Sequence, residues 1–415
     1  MTAARSIRRA AGWLALLAAL VLPAAAGAAP PRVSAPSAIV VEAGSGDVAY
    51  AKAADARRPI ASATKLMTAL ITLERAKLSD VLPAARYRAL PVESKINLRP
   101  GERMTVADLL RGLLIESAND AAETLAQGIA GSRASFVRQM NRRAQQLGLE
   151  NTHFANPIGL DQPGNYSSAR DLAKLTLALR RFSFFRRTVD REEVTLRSGA
   201  RPRTIDNRNQ LVHRYGWIDG VKTGRTMQAG WVLVASSHRG RIPLVSVVLG
   251  TPTEEARNAD TLALLRHAQG LYRRVEIVSR GEILDRVPIR YRDGATLDLV
   301  ASRSVYRVLR RGDRDYDVRV VERPDEVDGP VGYGERVARA EVLVHGRRVT
   351  RVALLAADEI AAASVGRKTQ DWMTRPWTLV AFAAILLLAM LLTYLRRPRQ
   401  PDPRSRHARE GAEAA

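Results

Sequence analysis

Between residues 30 and 272 the apolar positions switch repeatedly between helical and strand-like spacing, the two periods that separate helices from half-buried strands. The run AIVVEAGSGDVAYA, Ala38–Ala51, predicts a hairpin turning at Gly44–Gly46. A helix is expected from about Ser62 to Ala76. TVADLLRGLL opens on a cap made by Thr105 and Asp108, and Asp120 with Glu123 repeats that pattern for the next helix. Phe136–Leu147 is amphipathic and stops at Gly148, a residue suited to a helix C-terminus. Ser168 and Asp171 cap a further helix through about Arg181. GWVLVASS (Gly230–Ser237) and IPLVSVVLG (Ile242–Gly250), joined by HRGR, predict paired antiparallel strands. The helix after them is expected to begin at Thr251, with Pro252 at its first position and Glu254 at its third. An antiparallel sheet flanked by helices is an α+β layer arrangement.

The pattern changes near Val275. RVPIRYRDG, SVYRVLRRGD and YDVRVVERP read as short strands between turn residues, and VLVHGRRVTRV predicts a hairpin about His345–Gly346. Residues 30–272 are therefore expected to form one domain and 275–362 a small all-β domain. A polar stalk, 363–376, leads to WTLVAFAAILLLAMLLTYL, Trp377–Leu395, which is uncharged and about 28 Å long as a helix. Trp377 and Tyr394 sit at its edges, where amphipathic rings prefer the headgroup level. Residues 396–415 carry six arginines, so this tail is expected on the cytoplasmic side. At the other end, Arg5, Arg8 and Arg9 precede an apolar run and the small-residue stretch AAAGAA. Residues 1–28 have the layout of a signal peptide. The bulk of the chain is thus expected outside the bacterial cytoplasmic membrane, on the periplasmic side of a single span.

Composition narrows the chemistry. Of 415 residues, 46% are hydrophobic and 26% charged, enough for a sizeable core. The absence of cysteine removes thiolate nucleophiles and thiolate metal sites. The six histidines show no H-E-x-x-H or comparable spacing, so neither a metal nor any other cofactor is called for. A formal charge of +23 points to an anionic neighbour, a lipid surface or an acidic wall polymer. Export makes nucleic acid a poor partner.

The stretch IASATKLMTA places an alcohol, Ser62, and an amine, Lys65, three residues apart on one helix face. Serine needs a base to become nucleophilic, and lysine can be that base only if its pKa falls. Two further patterns follow in the chain: SAN, Ser117–Asn119, and KTG, Lys222–Gly224. The order S-x-x-K, S-x-N, K-T-G is closely related to the motif sets of β-lactamases and penicillin-binding proteins. Two lysines meeting at one pocket are expected to repel and so depress each other's pKa.

With PIASATKLMTA, LLIESANDAA, FANPIGL, YSSARDLAKL and DGVKTGRT, the chain resembles the serine D-alanyl-D-alanine carboxypeptidases, the low-molecular-mass penicillin-binding proteins. The likeness extends into VDGPVGYGERVARAEVLV of the small β domain. It implies a penicillin-binding/β-lactamase-like transpeptidase domain, the D-Ala-D-Ala ends of peptidoglycan stem peptides as substrate, and β-lactam antibiotics as acylating agents. It further implies Ser62 as nucleophile and Lys65 as its base. Ser117 and Lys222 would carry a proton to the leaving D-alanine, and Asn119 would hold the substrate amide. The backbone N–H groups of Ser62 and Arg225 would form the oxyanion site, beside Gly224. Thr223 would bind the terminal carboxylate with help from Arg208. A full membrane span in place of the family's amphipathic C-terminal helix, and Ala118 in the middle of S-x-N, depart from the family pattern. Alternative readings are a D,D-endopeptidase that cuts peptide cross-links and a wall-binding scaffold without catalysis. A β-lactamase is the lesser reading, since no E-x-x-x-N motif follows Asn119. Glu116 is expected to face solvent or pair with an arginine, and Tyr166 to serve packing. The sequence fixes no oligomeric state.

Overall fold

The computed structural model describes residues 29–396. The segment read as a signal peptide and the arginine tail beyond Arg396 lie outside the described residues. The chain divides into two compact units, one reaching Val275 and including Val308–Asp313, the other formed by Glu276–Arg307 and the residues from Arg314 onward.

The first unit begins with the hairpin β1 (Ser37–Glu42) and β2 (Val48–Lys52). A 3₁₀ turn, Ala61–Thr64, then leads into α1 (Lys65–Arg75). The ribbon β3 (Val81–Pro83) and β4 (Arg103–Thr105) precedes α2 (Val106–Arg111), which Thr105 caps by accepting from the Asp108 N–H as its sequence predicts. A π-type turn, Gly112–Glu116, connects α2 to α3 (Asn119–Ala130). Next come α4 (Arg133–Gln146), α5 (Ala169–Leu179), α6 (Ser183–Val189), the ribbon β5 (Glu193–Leu196) and β6 (Arg203–Asp206), and α7 (Gln210–Arg214). Three long strands, β7 (Ile218–Thr226), β8 (Gly230–Ser237) and β9 (Leu244–Thr251), lead to α8 (Glu254–Leu271).

The sheet runs β2-β1-β9-β8-β7 and is antiparallel throughout. Alternate residues of β8 enter different cores. Val232 and Val234 pack toward α1, α3 and α5, whereas Leu233 and Ala235 pack toward Leu264, Leu265 and Ala268 of α8. A sheet covered on both faces needs apolar residues at every position, which is why GWVLVASS reads as a continuous run.

Two details differ from the expectations. Asp120 does not cap α3 but lies inside it, because its carboxylate accepts from Ile96 N–H, Leu98 N–H and Ala121 N–H and so ties a preceding loop to the helix. The cap of α8 is Thr253, whose hydroxyl accepts from Ala256 N–H; Thr251 is still paired with Trp231 at the end of β9. KTG lies within β7, a strand at the edge of the sheet that leads directly into the β8–β9 pair.

The second unit contains β10 (Tyr272–Val278), which begins in the first, β11 (Ile283–Pro288), β12 (Thr296–Ala301), β13 (Val305–Arg310), β14 (Tyr316–Val321), β15 (Arg336–Val344) and β16 (Arg347–Ala356). Its sheet order is β11-β12-β16-β15-β14. The β15–β16 hairpin turns at His345 and Gly346, with φ of 51° and 68°, the pair of positive values a tight two-residue hairpin requires. Helices α9 (Val365–Thr374) and α10 (Pro376–Leu395) follow. The most apolar eighteen residues of α10 have a mean hydropathy of 2.5, and the helix exposes nearly all its side chains. At 1.5 Å per residue the helix is about 30 Å long, enough to cross a bilayer.

One close approach governs where the active-site turn can sit. Gly159 has φ +90°, and a Cβ there would stand 2.0 Å from the Ala61 carbonyl oxygen. Gly159→Ala is expected to lower unfolding stability by about 3 kcal/mol or more, since both the backbone and a neighbouring carbonyl must shift. Gly164→Ala, at φ +82° with no atom nearer than 3.5 Å, should cost only about 1 kcal/mol of backbone strain. Denaturant titrations of the two variants check this, and equal losses would contradict it.

Candidate active site

Ser62 lies in the 3₁₀ turn and Lys65 at the first position of α1. Their side chains meet: Lys65 Nζ is 3.0 Å from Ser62 Oγ and donates to the Ile158 carbonyl at 2.5 Å. Lys65 is fully buried and Ser62 half-buried. Asn156 fixes the segment that supplies the carbonyl, because its Oδ1 accepts from the N–H groups of both Ile158 and Gly159.

KTG approaches from the other side. A Cβ on Gly224 would stand 2.9 Å from the Ala61 Cβ and 3.0 Å from the Ser62 nitrogen. Only glycine lets the open edge of β7 come this close to the nucleophile's backbone. Lys222, on the same strand, is 1% exposed and donates to the Thr223 carbonyl at 3.0 Å. Thr223 is half-buried. Arg225 is exposed, with its guanidinium 4.9 Å from the Trp231 ring centroid, across the ladder from it.

Ser117 ends the π-type turn in the left-handed region, at φ 66°. That turn packs against both α1 and β7. Asn119 opens α3 and is buried; its amide donates to Glu93 Oε2 at 2.7 Å. Glu93 is a residue the sequence reading missed. It also accepts from the Tyr87 hydroxyl and the Leu90 N–H, so it binds the loop before β4 to the SAN motif. Asn119 N–H donates to the Ser94 carbonyl in the same loop. No periodicity marks Glu93, an acid 26 positions ahead of Asn119 in the stretch PVESK. Arg208 pairs with Glu116, which settles Glu116 as an arginine partner, and the Arg208 backbone N–H donates to Ile115 of the turn. Tyr166 packs under the Arg57 guanidinium.

The electrostatics depart from simple mutual repulsion. Burial is the leading cause that brings Lys65 down from 10.5 to about 7, and Glu93, Asp120 and Glu123 pull back the other way. Burial also leads for Lys222, which falls well below its ordinary value; the charges of Lys65 and Arg208 add to that fall. Desolvation disfavours the ammonium form wherever no counter-ion touches it. A hydroxyl beside an amine near its midpoint at neutral pH can be deprotonated by that amine, the arrangement of a serine hydrolase that uses lysine as base.

The comparisons agree with that class. Residues 24–253 match the family described as D-alanyl-D-alanine carboxypeptidase, and residues 272–362 match the penicillin-binding protein 5 C-terminal domain. D-alanyl-D-alanine carboxypeptidase DacF of Bacillus subtilis is 31% identical over 81% of this chain and 89% of its own length. DacA of Escherichia coli is 32% identical over 83% of this chain and 88% of its own. The crystal structure of penicillin-binding protein 5 from Haemophilus influenzae, 28% identical, covers 81% of this chain and all of its own with a TM-score of 0.58. The chain belongs to the D-alanyl-D-alanine carboxypeptidase family of serine peptidases, with a transpeptidase-like domain, an all-β C-terminal domain and an apolar C-terminal helix.

The depressed Lys65 pKa has a stability consequence. Between about 7, its folded value, and 10.5, its ordinary value, the unfolded chain binds more protons than the folded one, so folding stability rises with pH across that window. Lys65→Met removes this contribution. The stability of the parent minus that of the variant should increase from pH 7 to pH 10, on the order of a few kcal/mol in all. Denaturant midpoints at several pH values measure it, and a flat difference would refute the assignment.

Proposed function

We infer that the protein is a membrane-anchored serine D,D-carboxypeptidase that removes the terminal D-alanine from peptidoglycan pentapeptides through an acyl-enzyme on Ser62. The observation that carries the reading is the 3.0 Å contact between Ser62 Oγ and a fully buried Lys65 Nζ whose pKa lies at about 7. Lys65 takes the hydroxyl proton as Ser62 Oγ attacks the carbonyl carbon of the D-Ala–D-Ala bond. The developing oxyanion is held by the backbone N–H groups of Ser62 and Arg225; the close approach of Gly224 to the Ser62 nitrogen supports this. Ser117 and Lys222 pass a proton to the amine of the departing D-alanine. Water then attacks the ester and restores Ser62.

Asn119 receives the substrate amide, held in orientation by Glu93. Thr223 on the strand edge receives the terminal carboxylate, with Arg208 adding positive charge from the neighbouring turn. β-Lactams acylate Ser62 by the same first step, since their strained amide presents an equivalent carbonyl. The apolar helix α10 spans the membrane once, with the arginine tail on the cytoplasmic side and the catalytic unit outside, which the charge asymmetry supports.

Labelled penicillin should acylate the full-length protein in detergent, and Ser62→Ala should abolish the label. Persistent labelling of that variant would mean the nucleophile lies elsewhere. Turnover of a soluble pentapeptide should fall by about 10⁶ in the same variant, by analogy with loss of a serine protease nucleophile. Mass spectrometry of the products separates the readings. Free D-alanine is expected; cleaved cross-linked dimers without it would make the protein an endopeptidase, and neither product a scaffold.

A further inference from the structure

One cavity of the first unit has no residue of the three motifs in its lining. It is a cleft of about 860 Å³ between α2, α6 and β5, and four arginines line it: Arg111, Arg187, Arg191 and Arg197. Arg111 is held in place. Its Nη1 donates to Asp108 Oδ1 at 2.6 Å, and its guanidinium lies 5.5 Å from the Phe184 ring centroid. Asp108 is itself spent, because Oδ2 accepts from Arg197 N–H, Ser198 N–H and the Ser198 hydroxyl. Among the described residues, no carboxylate lies within ion-pairing distance of the Arg187, Arg191 or Arg197 side chains, and none of the three donates a side-chain hydrogen bond. Glu193 is the other acid on the cleft wall. Four arginines against two acids on the wall, with Asp190 near Arg191, leave the concavity with an excess of positive charge that attracts anions.

We propose that this cleft binds carboxylates of the wall polymer, so that the enzyme grips peptidoglycan at a second point while Ser62 works on a stem-peptide end; the proposal rests on the carboxypeptidase reading above. Guanidinium forks match carboxylates in pairs of parallel hydrogen bonds. Phe184 offers an apolar floor to the aliphatic part of a peptide. The placement also fits. Arg111 ends α2 and Ser117 follows six residues later, a separation on the order of 10 Å along the helix direction. An extended peptide of five residues spans roughly 17 Å. A neighbouring acidic group on one strand of polymer can therefore reach the cleft while a D-alanine terminus occupies the site.

The test compares polymer with free peptide. Full-length protein carrying Arg187→Glu, Arg191→Glu and Arg197→Glu is mixed with purified insoluble sacculi, and sedimentation and D-alanine release are measured. A control carries Arg75→Glu, Arg138→Glu and Arg142→Glu, three exposed arginines on α1 and α4. The cleft variant should lose about tenfold in sacculus binding and in D-alanine release from sacculi, the scale expected from reversing charges at a binding rim. Its kcat/KM on soluble pentapeptide should be unchanged, and the control should behave as the parent. Unaltered sacculus binding, or an equal loss in the control, would overturn the proposal. So would competition by phosphatidylglycerol vesicles that strip the parent from sacculi and spare the cleft variant, because the cleft would then be reading lipid phosphate. If the parent released no D-alanine from pentapeptide, the carboxypeptidase reading would fall, while the sedimentation arm would still report on the cleft.

Discussion

The site is organised around one buried amine. Lys65 has no counter-ion in contact; its nitrogen meets only the Ser62 hydroxyl and the Ile158 carbonyl. Placing a full ammonium charge there costs several kcal/mol, and the fold meets that cost by making the neutral form accessible. Burial pushes the proton off, whereas Glu93, Asp120 and Glu123 pull it back. Neither influence alone would give a useful base. Without burial the amine would stay charged at neutral pH, and without the three carboxylates it would fall further and lose its pull on the serine proton.

Holding that balance requires close packing from three directions. Gly159 presses its backbone against Ala61, Gly224 brings the sheet edge against the Ser62 nitrogen, and the turn ending at Ser117 packs on α1 and β7. The two glycines act differently. Gly159 needs a positive φ as well as space, whereas Gly224 needs only space. The edge position of β7 matters equally. A strand paired on both sides would have no backbone groups left to face a substrate, and an open edge offers an extended peptide a ready partner.

Much of this was readable in the chain. The three motifs mark stretches that the structure brings together, the β1–β2 hairpin and the His345–Gly346 turn follow from local turn chemistry, and the strands of the second unit follow from its short apolar runs. What was not readable depends on partners distant in sequence. Asp120 looked like a cap because the loop it ties down, through Ile96 and Leu98, lies more than twenty residues away. Glu93 gave no periodic signal for the same reason. Thr251 and Thr253 are both plausible caps, and only the pairing of Thr251 with Trp231 on β8 decides between them. The lysines were expected to depress one another, but sequence cannot reveal how deeply each is buried; burial is the leading cause for both, and the charge of Lys65 adds to the fall of Lys222.

A site of this kind has two opposing electrostatic requirements. On the proposed mechanism it needs an amine that loses its proton near neutrality and a cation that keeps its charge to receive a carboxylate. One residue type cannot meet both. Lysine suits the first because its pKa moves with burial, and arginine suits the second because a guanidinium does not give up its proton in proteins. The chain divides the tasks accordingly: Lys65 and Lys222 are buried, whereas the arginines at the site, Arg208 and Arg225, stand at the surface. Glu116 shares the charge of Arg208 and fixes where its fork points. Arg225 is steadied instead by the Trp231 ring, which leaves its charge uncompensated. Separating the two kinds of cation by depth puts the lysines where burial lowers their pKa and leaves the arginine charges facing water.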